Sequence, residues 1–113
     1  MKLETKKYLY DMQHATDLLA TFTAGKNVGD YEKDPMLRAA VEREFEIVGE
    51  ALARLAKHDP DVASQITEFR RIVAFRNILI HGYAEVDHRL VWDVVENKLP
   101  ALRREVSALL GAS

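Results

Sequence analysis

Between a few clusters of glycine and proline, the apolar residues of this chain recur at spacings of three and four. That spacing places side chains on one face of an α-helix, whereas a half-buried strand alternates apolar and polar residues. No stretch alternates for long enough to predict a strand. We therefore expect an all-α protein, an up-and-down bundle of four or five helices.

The glycines and prolines set the expected helix ends. The segment 25–35 is predicted as one loop, 58–60 as a tight break and Gly82 as a third break. Asp34 followed by Pro35 is typical of an N-cap with proline at the first helical position. We expect helices from about Leu3 to Ala24, from about Pro35 to Lys57, from about Pro60 to His81, and from near Asp87 onward with a bend at Pro100.

Composition excludes several classes of protein. A chain of 113 residues fits a single domain, which we expect to span 1–113. The absence of cysteine excludes disulfide scaffolds, thiolate zinc sites and thiol nucleophiles. The histidines, at 14, 58, 81 and 88, have no metal-ligand spacing, so neither a metal nor another cofactor is expected. The longest apolar run, 72–75, is too short to span a membrane, and the N-terminus lacks the apolar stretch of a signal peptide, which predicts a cytoplasmic protein.

The third predicted helix has an unusually wide apolar stripe. Its members are Ile66, Phe69, Ile72, Val73, Phe75, Leu79 and Ile80. A helix of this kind is expected at the centre of the bundle or at a subunit interface. Arg76 falls inside the stripe, with Tyr83 above it at i+7, while Arg70, Asn77 and His81 occupy the narrow polar face.

A guanidinium on an apolar face is costly unless a carboxylate or a phosphate neutralises it. Two carboxylates, Asp11 on the first helix and Glu44 on the second, also fall inside apolar stripes. One hypothesis is therefore a structural ion pair of Arg76 with Asp11 or Glu44. The other is a polar pocket in which Arg76 awaits an anionic ligand, and the pattern alone leaves both open.

The segment RNILIHGY, residues 76–83, closely resembles the signature of the HEPN superfamily, in particular of the HepT-like toxin ribonucleases. That signature is an arginine, a polar residue, three further residues and then His-x-Tyr near the end of a helix. The resemblance extends over nearly the whole chain, through YLYDMQHA, IVGEAL with its Glu50, and VDHRLVWDVVENKLPAL.

The resemblance implies a homodimeric, HEPN-like ribonuclease that cuts RNA without metal and acts as the toxin of a type VII-like toxin–antitoxin system. The implied partner is a minimal nucleotidyltransferase antitoxin, which silences the toxin by AMPylation of a tyrosine. Position by position, the resemblance makes Arg76 and His81 the catalytic pair, Asn77 the supporting polar residue and Tyr83 the AMP acceptor.

The residue types suit metal-free RNA cleavage. Histidine exchanges protons near neutral pH, and a guanidinium can bind two phosphate oxygens at once. Asn77 could orient His81 or donate to a phosphate, and Arg70 and Arg71 could supply further positive charge. On an ideal helix, however, Arg76 and His81 lie about 140° apart. Either the helix unwinds near Gly82, or the working site combines two subunits.

Other interpretations stay open at this point. His81 could simply interact with the terminal carbonyls of its helix, and Tyr83 could be an interface aromatic residue. The net charge of −2 favours a second function, a non-catalytic helical module that positions nucleotide or substrate for a nucleotidyltransferase, with Arg76 as a phosphate anchor. A third hypothesis, a purely structural dimerisation protein, explains Arg76 only as a member of an ion pair.

Overall fold

The structure is a computed structural model that describes residues 1–111 and, at Tyr83, the backbone alone. This part of the chain contains seven α-helices, one 3₁₀ turn and no strand, which confirms the predicted all-α class. The helices are α1 (Leu3–Thr23), α2 (Val28–Lys33), α3 (Pro35–His58), α4 (Pro60–Ala63), α5 (Phe69–His81), α6 (His88–Asn97) and α7 (Leu99–Gly111), and the 3₁₀ turn is Tyr83–Glu85.

Side-chain caps explain several helix ends. Asp34 accepts hydrogen bonds from the amides of Met36 and Leu37, as the Asp-Pro sequence predicts. The loop predicted over 25–35 is wrong in part, because it contains α2. There, Asn27 and Asp30 form a reciprocal capping box that satisfies the first amides of this short helix.

The helix predicted from Pro60 to His81 is two helices, α4 and α5. The break lies at 64–68, where Glu68 adopts a left-handed backbone conformation with φ of 56°. The Glu68 carboxylate is bound by Lys98, between α6 and α7, at 2.8 Å. Periodicity missed the break because this tertiary contact holds an unfavourable backbone angle in place.

The fourth predicted helix is also divided. α6 ends at Asn97 and α7 begins at Leu99, so Pro100 lies in the first turn of α7. A proline there removes no intrahelical hydrogen bond, and the bend expected at Pro100 is instead a break at Lys98.

The core lies between α1 and α3, which are antiparallel: Lys2 at the start of α1 bonds to the carbonyl of His58 at the end of α3. α7 packs on α1, α6 on α7, and α5 on α3. The largest fully buried side chains of the described residues are Tyr31, Leu9, Met12, Leu19, Leu52, Leu55, Ile66, Leu79, Val41, Val48, Val91 and Val106. Each contributes about 1.5–3 kcal/mol by leaving water, so this shared core fixes the bundle.

Helix α5 lies at the edge of the bundle rather than at its centre. Phe75 and Leu79 are buried, and Phe75 packs edge-on against Phe45 of α3 with ring centroids 5.3 Å apart. By contrast, Ile78 is 46% exposed and Ile80 is 39% exposed. Of the predicted stripe, Ile66, Phe75 and Leu79 are buried, and Phe69, Ile72 and Val73 are partly buried against the core, so Ile80 is its exposed member. Across the described residues, no helix is long and apolar enough to cross a membrane.

Candidate functional site

Arg76 of α5 lies against the backbone of α3 because α3 has a glycine, Gly49, at the point where α5 crosses α3. A Cβ atom placed on Gly49 would lie 2.2 Å from the Cβ and 2.6 Å from the Cγ of Arg76. Those separations are far inside van der Waals contact, so only glycine permits this approach. The arginine stem thus lies directly on the α3 backbone, and its position is fixed by packing.

Glu50, the next residue of α3, holds the guanidinium. Its Oε2 accepts a hydrogen bond from Arg76 Nη1 at 2.7 Å, and its Oε1 accepts one from Arg54 Nε at 2.9 Å. The side chain of Arg76 is 18% exposed, and its buried Nε–H has no hydrogen-bond partner among the described residues. One carboxylate therefore joins two guanidinium groups, and one buried donor is left over.

The ion-pair partners offered by the sequence are corrected here. Among the described residues, Arg76 forms an ion pair with Glu50 and with neither Asp11 nor Glu44. Glu44 precedes Glu50 by six residues and lies about 120° round the helix, away from the crossing with α5. Asp11 is exposed on α1 and lines the groove between α1 and α3 instead.

The site keeps Glu50 ionised. The hydrogen bond from Arg54 is the largest cause that lowers the pKa of Glu50, and the positive charges of Arg76, Arg54 and Lys57 act in the same direction. Burial opposes them but does not reverse the shift. Glu50 therefore acts as a fixed anion at neutral pH, suited to orienting Arg76 rather than to exchanging protons.

His81 lies on the other side of α5. The helix stays regular up to His81, and the amide of Gly82 still bonds to the carbonyl of Ile78 at 2.8 Å. His81 is exposed, as are Asn77 and Arg70, so the predicted polar face is present and fully open. Unwinding near Gly82 thus does not bring His81 to Arg76 within one chain.

The remaining predicted residues are placed as follows. The guanidinium of Arg70 stands over the Phe69 ring, 4.9 Å from its centroid, while Arg71 is neutralised by Glu68 at 3.2 Å. Tyr83 begins the 3₁₀ turn, but its side chain lies outside the described part of the structure. Within the described residues, no three histidine, aspartate or glutamate side chains converge as metal ligands would.

Two grooves border this region. One, of about 350 Å³, runs between α1 and α3 and is lined by charged side chains that include Glu50 and Arg54. The other, of about 440 Å³, lies between α5 and the α6–α7 pair and is mostly apolar, with Ile72, Ile78 and Leu90 at its surface. Helix α5 lines the apolar groove, whereas its Arg76 meets the charged groove only through Glu50.

The sequence analysis places Glu50 in the IVGEAL segment and does not pair it with Arg76. Glu50 does not interrupt an apolar stripe, so it does not stand out as a misplaced charge. The neighbouring residue, Gly49, is the sequence feature that points to this contact. Glycine is unfavourable inside a long helix, so its presence suggests that another helix crosses closely at Gly49.

Comparison with known proteins places this arrangement in a family. The family model "Ribonuclease HepT-like" matches residues 12–109. A candidate RNase of Methanocaldococcus jannaschii is 32% identical over 105 residues, covering 93% of this chain and 95% of the relative. The "probable ribonuclease HepT" of Thermococcus cleftensis is 32% identical over 109 residues, covering 96% of this chain and 98% of the relative.

A candidate RNase of Caldanaerobacter subterraneus subsp. tengcongensis is 30% identical over 105 residues, covering 93% of both chains. No solved structure matches the chain significantly. The family model and these relatives extend over the helices that carry Gly49, Glu50, Arg76 and His81. The chain belongs to the HepT-like ribonuclease family of the HEPN superfamily.

Proposed function

We propose that this chain is a toxin ribonuclease that cleaves RNA without a metal ion, in a homodimer whose cleft combines Arg76 and His81. Membership of the HepT-like family supports the reaction class, since the relatives are named as ribonucleases. In this proposal Arg76 binds the scissile phosphate, His81 transfers the proton, and Asn77 and Arg70 support the phosphate contacts.

The observation that carries the proposal is the state of Arg76. Gly49 and Glu50 fix the side chain at the cost of a glycine inside a 24-residue helix. Yet the ion pair leaves the Nε–H of Arg76 without an acceptor among the residues that the structure describes. A purely structural pair would be expected to satisfy its donors, because an unpaired buried donor is unfavourable. A guanidinium that is held in place but still has an N–H donor to offer is suited to binding an anion.

The chemistry follows from the two residue types. His81 accepts the proton of a ribose 2′-OH, and the 2′ oxygen attacks the adjacent phosphorus. The bond to the 5′ oxygen breaks, that oxygen takes up a proton from solvent, to which His81 returns the proton it accepted, and a 2′,3′-cyclic phosphate is left. Arg76 stabilises the negative charge that develops on the phosphate oxygens. The need for a 2′-OH restricts the reaction to RNA.

A dimer resolves the separation of Arg76 and His81. Within one chain they lie on different sides of a regular helix, and the side with His81 is uncovered. Beside it, Ile78 and Leu90 expose apolar surface along the 440 Å³ groove, which is typical of an interaction site. A second copy that covers α5 would bring its own His81 and Arg76 to a shared cleft. An obligate monomer, made for example by Ile78→Asp, should lose cleavage, and a fully active monomer would refute the shared site.

In this proposal a nucleotidyltransferase antitoxin silences the ribonuclease by transferring AMP to Tyr83. The position directly after Gly82, two residues beyond His81, supports this assignment. An attached AMP would place bulk and negative charge at the cleft and exclude the RNA phosphate. Tyr83→Phe should therefore cleave RNA and resist the antitoxin. If the antitoxin still silences this variant by modifying another residue, Tyr83 is not the acceptor.

The decisive experiment measures RNA cleavage by the purified protein in EDTA. We expect cleavage by the parent and its loss in His81→Ala and in Arg76→Ala, with His14→Ala, another exposed histidine, as the matched control. Circular dichroism and thermal unfolding verify that each variant is folded. A parent that is folded, free of AMP by mass and still inert would favour the non-catalytic binding module instead.

A further inference from the structure

Glu50 does more than anchor Arg76, because it also binds a second arginine. Its two oxygens bond to Arg76 Nη1 at 2.7 Å and to Arg54 Nε at 2.9 Å. The two guanidinium groups come from different helices, α5 and α3, and share this carboxylate. Their separation is therefore set by one side chain whose own backbone position is fixed at the helix crossing.

The two arginines differ in accessibility. Arg76 is largely enclosed, whereas the side chain of Arg54 is 62% exposed and continues the site outward along α3. Lys57, a further turn along the same helix, is exposed and close enough to act on Glu50 electrostatically. Glu50 thus lies within reach of three positive charges, those of Arg76, Arg54 and Lys57, although the whole chain has a net charge of −2.

An exposed pair at i and i+4 on a helix contributes little to folding stability, so stability gives a weak reason for Arg54. Geometry gives a stronger one. The Nε–H of Arg54 is held by Glu50, the residue that also holds Arg76, while most of the Arg54 side chain is exposed. Planar guanidinium groups match phosphate oxygens in pairs. Successive phosphates of a single RNA strand would meet two such groups side by side.

We propose that Arg54 is a second phosphate-binding residue, which contacts the RNA backbone next to the phosphate held by Arg76, and that Glu50 is the positioning residue for both. This inference rests on the proposed function, since RNA is the ligand in both. It extends the substrate-binding surface from the cleft onto the exposed face of α3, where neither the RNILIHGY motif nor the misplaced charges had located it.

The test measures binding of a short, fluorescently labelled 2′-O-methyl RNA, which lacks the attacking hydroxyl, by anisotropy between 50 and 200 mM salt. Each phosphate contact to a single strand adds about 0.7 to the salt slope, or about fivefold in affinity at 0.1 M salt. We expect Arg54→Gln to lower the salt slope by about 0.7 and to weaken RNA binding about fivefold. Arg54→Lys keeps the charge and should change both quantities little.

Arg89→Gln is the matched control. Arg89 is also exposed and also binds a glutamate, Glu32, through its Nε at 3.4 Å, but Glu32 forms no ion pair with Arg76 in the described part of the chain. This variant removes the same charge and the same kind of ion pair. We expect its salt slope and affinity to equal those of the parent.

Cleavage of unmodified RNA by the same samples separates contact from positioning. If Arg54 touches the substrate, Arg54→Gln raises KM about fivefold while kcat falls less than twofold. An unchanged salt slope, or a fall in kcat at constant KM, would overturn the inference and leave the ribonuclease intact. A parent that neither binds nor cleaves RNA would instead remove the proposed function, and the inference with it.

Discussion

Replacing Gly49 by alanine tests whether the close crossing of α3 and α5 builds the site. The added Cβ would lie 2.2 Å from the Cβ of Arg76, about 1.2 Å short of the 3.4 Å at which ordinary van der Waals contact begins. The helix itself would gain about 1 kcal/mol from the better helix former, whereas overpacking typically costs about 1–3 kcal/mol. We expect a net loss of about 1 kcal/mol, or about 4 °C in Tm.

The effect on catalysis should be much larger than the effect on stability. Relief of the clash moves α5 and Arg76 by about 1 Å, which stretches the 2.7 Å hydrogen bond to Glu50. Displacement of a catalytic group by that distance can cost about 100-fold in rate. We therefore expect Gly49→Ala to lose about 100-fold in kcat/KM for RNA cleavage while it remains folded.

Gly111→Ala is the control for this comparison. Gly111 ends α7, and a Cβ added there would meet no atom of residues 1–111 within 4 Å. Thermal unfolding and cleavage kinetics of both variants are measured together, and Gly111→Ala should match the parent. A Gly49→Ala protein that is more stable than the parent and cleaves within twofold of it would show that the crossing does not set the position of Arg76.

Two further predictions concern the carboxylate and the core. Because the pKa of Glu50 is lowered from 4.5, mainly by Arg54, its ion pairs stabilise the fold above that pH and are lost as the pH falls through the lowered pKa. In denaturant unfolding, the free energies of unfolding of the parent and of Glu50→Gln should therefore differ at pH 7 and converge below pH 4.5. A difference that stays constant with pH contradicts this prediction. Glu44→Gln is the control. The Tyr31 hydroxyl is buried without a hydrogen-bond partner among the described residues, so Tyr31→Phe should raise the free energy of unfolding by about 1 kcal/mol. A loss of stability in this variant would mean that the hydroxyl has an acceptor.

Much of the fold could be predicted because it depends on local pattern. The first two long helices end within one residue of their predicted ends, and Asp34 caps α3 as expected. The apolar sets on these helices are largely buried. The prediction missed a short capped helix inside a loop, at α2, and two helix breaks, at Glu68 and at Lys98.

The candidate site was predicted unevenly for the same reason. Arg76 was found because it interrupts an apolar stripe, and its sequence motif gave the family that the comparisons confirm. Its partner was not found among the misplaced carboxylates, Asp11 and Glu44, because Glu50 sits on an open surface of α3. A helical pattern tells which residues share a face, but it does not tell which faces of two helices meet.

The sequence by itself determined the helical class, the ends of the two long helices to within one residue, and the family, because period, caps and motif are all local properties of the chain. Only the tertiary structure decided that α5 lies at the edge of the bundle, that Gly49 lets Arg76 onto the backbone of α3, and that Glu50 joins Arg76 to Arg54. These features depend on the angle and distance at which two helices cross, and the packing of the whole core sets both.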